Sequence, residues 1–114
     1  MFNYCFLSGR VITIPTLRYF GKDNPVTEFT LEILVENKRY GTIKVECYSK
    51  LAMEAVKQLR SWERVAVAGF LSGAVYPQDN GTYQYELRLA ASALVPLRED
   101  PDMASEPSGD NLLS

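Results

Sequence analysis

The sequence predicts an all-β domain: a five-stranded closed barrel with one helix between the third and fourth strands. Three observations predict it. Runs with two-residue apolar alternation, or apolar throughout, recur at 3–14, 26–35, 40–48, 65–71 and 82–91, each short enough to be a strand. One stretch alone, 49–60, breaks that rhythm and carries Leu51, Ala55, Val56 and Leu59 on one face of a 3.6-residue helix. Turn residues separate the runs, most clearly Asn80-Gly81, a strong hairpin dipeptide.

The first strand, 3–14, is apolar on both sides near its start, with Tyr4 and Phe6 on one face and Cys5 and Leu7 on the other. A strand apolar on both faces is covered on both, so one face is expected to meet the core and the other a partner subunit. Gly9 in mid-strand fits the bend or bulge that barrel closure needs. Pro15 ends the strand, and Leu17–Tyr19 leads into the turn signal of Gly21 to Pro25. In 26–35, Phe29, Leu31, Ile33 and Val35 face one way and Glu28, Thr30, Glu32 and Leu34 the other. A polar loop, 36–39, leads into 40–48, where Ile43, Val45 and Cys47 point inward and Thr42, Lys44, Glu46 and Tyr48 outward. Ser49 stands where a helix N-cap is expected. After a short connection at 61–64, the fourth strand is 65–71. The fifth, 82–91, carries Tyr83, Tyr85, Leu87 and Leu89 on one face and can run on to Pro96. Three strands, a helix and two strands is the order of the OB-fold, whose members are mostly binding modules.

The chain has 114 residues, 46% apolar and 23% charged, which suits one globular domain. No apolar run approaches the ~20 residues of a membrane-spanning helix, so no membrane partner is expected. No signal peptide is visible at the N-terminus, which points to the cytoplasm or a plastid stroma. With two cysteines, Cys5 and Cys47, and no histidine, the chain has poor material for a zinc site, and neither metal nor cofactor is expected. Both thiols fall in strand patterns and are expected buried and free. Without histidine, a Gly-rich phosphate loop or a cysteine beside a base, an enzyme is not expected. Residues 1–97 hold 11 Lys/Arg against nine Asp/Glu, and 98–114 hold one against five. The expected organisation is therefore an OB-fold domain over 1–97 and an acidic, disordered tail over 98–114, rich in Pro, Ser and Gly.

The order of motifs resembles the bacterial and organellar single-stranded-DNA-binding protein (SSB) family over residues 3–97. The matching pieces are Asn3–Arg10, then Pro15-Thr16-Leu17-Arg18-Tyr19, Phe29-Thr30-Leu31, Tyr48-Ser49-Lys50-Leu51-Ala52, and Val65-Ala66-Val67-Ala68-Gly69. By size the chain would suit the short, divergent cyanobacterial or plastid-type members. The resemblance implies an OB-fold that binds single-stranded DNA by base stacking and backbone charge. It also implies a homotetramer or homodimer, assembled through the first-strand sheet, and an acidic tail that recruits replication and repair proteins.

Single-strand binding requires aromatic platforms for bases and cations along the backbone path. Tyr48 and Tyr76 match stacking aromatics of the SSB pattern, and Tyr40 and Phe20 are looser candidates. Trp62 lies in a connection where the family places no platform. The candidate cations are Arg10, Lys38, Arg39, Lys44, Lys50 and Arg88, interspersed with Glu46 and Glu86. Ser72 and Ala74 stand where the family carries basic residues, and about Asn37 and Thr42 where it carries further platforms. The tail, ending Asp110-Asn111-Leu112-Leu113-Ser114, lacks the family's Pro-Phe anchor. Fewer phosphate contacts mean lower affinity, so the expectation is weak, salt-sensitive binding. The alternative is an SSB-derived or primosome-type protein-interaction module with little or no DNA binding.

Overall fold

The computed structural model describes residues 1–98. Its elements are β1 (Cys5–Val11), β2 (Thr16–Tyr19), β3 (Pro25–Glu36), β4 (Arg39–Tyr48), α1 (Ser49–Gln58), β5 (Arg64–Pro77) and β6 (Tyr83–Pro96). The sheet runs β1-β5-β6-β4-β3-β2, and an additional β1–β3 pairing closes five of its strands into a ring. Among the described residues only β4 and β6 pair in parallel.

One expectation is corrected by this order. The helix follows β4, not the third strand, because the segment expected to lead into a turn is itself a short strand. Thr16–Tyr19 pairs antiparallel with Pro25–Glu28 after a turn in which Gly21 has φ 71°. This strand hangs on β3 outside the ring, so the barrel proper has five strands as expected.

Closure depends on β1 changing partners. It pairs with β5 from Cys5 to Arg10 and with β3 at Arg10 and Val11. Gly9 lies at that change, and a Cβ there would run into the Glu32 carbonyl oxygen. Only glycine allows the two backbones to approach so closely.

The interior is filled by Val11, Phe29, Leu31, Val45, Cys47, Val65, Val67 and Leu89 from the strands. From α1 come Ala52 and Ala55, followed by Leu59 at its C-cap, one stripe at helical spacing. The Thr27 hydroxyl, buried, donates to the Ala52 carbonyl at 2.6 Å and ties the helix to β3. Burial of Cys47 pushes its thiol up to about 12. Ser49 does not cap the helix: Tyr48 is the N-cap, in extended conformation and without a side-chain cap hydrogen bond. The chain turns from strand to helix through Ser49 itself, at φ 56°, which leaves no loop to place a capping hydroxyl.

The β5–β6 hairpin outruns the barrel. It pairs from Val65↔Pro96 to Pro77↔Tyr83, with one register shift between Ala68 and Gly69, whereas β1 supports β5 only as far as Gly69 and β4 supports β6 only over Arg88–Ala91. The remainder is a two-stranded finger. At its tip Gly81 has φ 82°, and Asn80 Oδ1 accepts both the Thr82 amide and its hydroxyl. Among the described residues no helix is long and apolar enough to cross a membrane.

Candidate nucleic-acid interface

Residues directly opposite in paired strands project to the same face. The register pairs Glu28↔Glu46, Thr30↔Lys44, Val26↔Tyr48 and Leu34↔Tyr40 between β3 and β4. It then pairs Lys44↔Arg88 across to β6, and Ser72↔Arg88, Ala74↔Glu86 and Tyr76↔Gln84 along the finger. Tyr40, Lys44, Glu46, Tyr48, Arg88 and Tyr76 therefore share one outer face. The tyrosines are open to solvent, Tyr40 by 66%, Tyr48 by 46% and Tyr76 by 38%. Tyr40, a looser candidate by sequence, sits squarely on this face.

The charges of that face are bound to one another. The Arg88 guanidinium donates to Glu46 at 3.3 Å and to the Tyr76 hydroxyl, and it stands 3.9 Å from Glu28. Its carbon lies 5.9 Å from the centroid of the Tyr76 ring. Its Nε is buried without a hydrogen-bond partner, the Glu86 carboxylate standing 3.9 Å away. Glu28 also takes Arg18 at 2.9 Å and Lys44 at 3.7 Å. Burial opposes the charged form of Arg88, but Glu46, Tyr76, Glu86 and Glu28 outweigh it and hold the guanidinium above its usual range. Tyr48 is raised as well, by burial first and then by the charge of Glu46 and a hydrogen bond to its side chain. Glu46, Arg88 and Tyr76 are thus joined in a chain, with Tyr48 two residues along β4 from Glu46 on the same face. Three carboxylates (Glu28, Glu46, Glu86) face three cations (Arg18, Lys44, Arg88), and the cluster is neutral.

Beside it lies a shallow groove of about 350 Å³, lined by Thr13, Thr16, Arg18, Glu28, Thr30 and Lys44 among others. Sequence reasoning missed Arg18 and Glu28. Arg18 falls in the segment not read as a strand, and Glu28 reads as an ordinary solvated residue until Arg18, Lys44 and Arg88 converge on it.

The other candidates scatter. Lys50 follows Tyr48 and is exposed. Lys38 and Arg39 sit on the β3–β4 hairpin that carries Tyr40, with Lys38 at φ 59° and Arg39 3.7 Å from Glu36. Arg10 lies at the β1–β3 closure, opposite Glu32, which in turn opposes Thr42 between Tyr40 and Lys44, so Arg10 joins the outer face at its β1 edge. Phe20 is exposed beyond β2 with Arg18 5.8 Å from its ring centroid. Trp62, exposed at φ 70°, bonds through its amide to the Val11 carbonyl on the β1 side.

Two apolar surfaces are also open. On β1, Cys5 and Leu7 are half-buried while Phe6, and Tyr4 just before the strand, are exposed. In the finger, Val75, Tyr83, Tyr85 and Leu87 are exposed. Of the aromatic and apolar set expected on the last strand, only Leu89 reaches the core, because the finger leaves the barrel beyond Arg88.

A small single-stranded DNA-binding protein from Streptomyces coelicolor has a similar structure, with a TM-score of 0.72 at 20% identity, covering 84% of this chain and 95% of that one. The second single-stranded DNA binding protein, SSBb, of Mycobacterium smegmatis is also similar, with a TM-score of 0.64 at 21% identity over 82% and 87% of the two chains. At these identities the likeness establishes the OB-fold. No curated protein matches the chain. The model of the Single-strand binding protein family matches residues 2–97, the barrel with its finger and tyrosine face, and the chain belongs to that family.

Proposed function

We propose that this chain binds single-stranded DNA on the outer face of β3, β4, β6 and the finger, as an oligomer, with weak and salt-sensitive affinity. The carrying observation is the placement of Tyr40, Tyr48 and Tyr76, all exposed, on one continuous face. Flat, uncharged rings stack on bases of any identity. Tyr48 and Tyr76 are the principal platforms, with Tyr40 extending the path along the β3–β4 hairpin. Lys44 and Lys50, with Lys38 and Arg39 at the hairpin, meet backbone phosphates. Arg88 orients Tyr76 and meets phosphate from within the ion-pair cluster, and Arg10 meets it at the β1 edge of the same face. The small SSB proteins named above support this reading.

Exposed Phe6 on β1 supports assembly through the first-strand sheet into a dimer or tetramer. The proposed domain boundary near residue 97, the role of the acidic tail in recruiting proteins, and a cytoplasmic or stromal location complete the reading. Of the tail, Arg98 alone is described, paired with Glu63 at 2.9 Å; residues 99–114 lie outside the described residues. No catalytic role is assigned.

Fluorescence anisotropy with labelled oligo-dT across salt tests the function. Loss of one stacked base costs about 1–3 kcal/mol, so Tyr48→Ala is expected to weaken binding about 5- to 150-fold. Absence of wild-type binding at ~20 mM salt, where charge attraction is little screened, refutes the reading. The charge balance of the face favours one second reading, a protein-interaction module with little DNA binding. A stable protein partner, together with no retention on single-stranded DNA at low salt, would establish it.

A further inference from the structure

We propose that Glu46 and Glu28 limit the affinity of the tyrosine face by holding Arg88 and Lys44 as internal ion-pair partners, so that nucleic acid binds by exchanging carboxylate for phosphate. This rests on the single-stranded DNA reading and adds to it which residues set the strength of binding.

The geometry assigns the role. Arg88 reaches Glu46 and Glu28 through Nη1 at 3.3 and 3.9 Å, the Tyr76 hydroxyl through Nη2, and stands beside Glu86 through Nε at 3.9 Å. Its side chain is only 15% exposed. Lys44, the other cation between Tyr40 and Tyr48 on β4, is shared with Glu28 at 3.7 Å. A neutral cluster exerts little long-range attraction on a polyanion, and a phosphate that takes either cation competes with a carboxylate already paired to it. Glu46 lies two residues before Tyr48 on the same side of β4 and pairs with Arg88, which reaches Tyr76, so its negative charge adjoins both tyrosines.

Glutamine keeps the shape of glutamate and an acceptor for Arg88 and Tyr48 while removing the charge. Anisotropy titrations with oligo-dT from ~20 to ~300 mM NaCl, on the full chain, compare wild type with Glu46→Gln, Glu28→Gln and Glu86→Gln. Glu46→Gln is expected to tighten binding about 3- to 10-fold near 50 mM salt, the effect of one unit charge several ångströms from a phosphate. It is also expected to steepen the slope of log K against log salt by about 0.7, one additional phosphate contact. A purely structural role for Glu46 would leave that slope unchanged. Glu28→Gln acts the same way through Lys44, and the double variant Arg88→Met/Glu46→Gln loses the gain of Glu46→Gln.

If wild type binds and both Glu46→Gln and Glu28→Gln bind no more tightly, with unchanged slopes, the proposal is overturned while DNA binding stands. If neither wild type nor the variants bind at ~20 mM salt, the DNA reading fails and the proposal with it. Should circular dichroism show the two buried-side variants unfolded, Glu86→Gln, whose side chain is 34% exposed, decides the matter by the same criteria.

Discussion

Replacing Arg88 by methionine tests whether the ion-pair cluster carries stability as well as charge. Methionine keeps most of the side chain's length and packing but leaves Glu46, Glu28 and Glu86 facing one another without the guanidinium between them. Breaking a buried ion pair from one side costs about 3–5 kcal/mol, because a charge remains without its partner. Glu46 and Glu28 keep side-chain exposures of 12% and 21%, so solvent recovers part of that cost. The expected loss is about 2–3 kcal/mol, or about 8–12 °C in Tm at ~4 °C per kcal/mol for a chain of this size. Urea denaturation followed by circular dichroism, at one protein concentration and pH 7, measures it. Adding Glu46→Gln to Arg88→Met removes one of the stranded charges and is expected to restore about 1–2 kcal/mol, a non-additivity that a double-mutant cycle reports directly. An Arg88→Met variant within about 0.5 kcal/mol of wild type, the usual range for a surface substitution, would refute the view that these groups form one cluster.

Native protein should react with a thiol reagent at Cys5, which is half-buried, and spare Cys47 until it is unfolded. The native Cys47 thiol keeps its proton up to about 12, whereas the unfolded chain releases it near 9.0. Between those limits the native state binds more protons, so stability falls as pH rises, by up to about 1.4 kcal/mol per pH unit; Cys47→Ala should flatten that decline in urea midpoints measured from pH 8 to 11. Gly9→Ala sets a Cβ against the Glu32 carbonyl at the barrel closure and is expected to cost about 2 kcal/mol or more, with near-wild-type stability counting against the closure role. Phe6→Glu, on the exposed face of β1, is expected to shift light-scattering mass towards the monomer, and an unchanged mass would remove this face from the interface.

Local pattern determined much of this protein. Alternation in 26–35 and 40–48 assigns Phe29, Leu31, Val45 and Cys47 to the core and Lys44 and Tyr48 to the outside, because side chains in a strand alternate whatever the strand pairs with. The helical stripe ending in Leu59 and the Asn80-Gly81 turn were legible for the same reason: each is written within a few adjacent residues. Ser49 was misread because a cap depends on the direction from which the chain enters the helix, and here β4 enters it directly. The strand at Thr16–Tyr19 is only four residues long and exists by pairing with β3, which no local period announces.

The state of the charges was decided by the tertiary structure alone. Arg88 and Glu46 lie 42 positions apart and meet only because β4 and β6 pair in parallel. Read singly, Glu28, Lys44, Glu46 and Arg88 are ordinary surface charges. Brought together on one face, they neutralise each other and tie Tyr76 to Glu46 through Arg88. Residue type and spacing thus determined the fold and which tyrosines face outward. The charge those tyrosines are set in depends on distances between strands, which only the closed barrel sets.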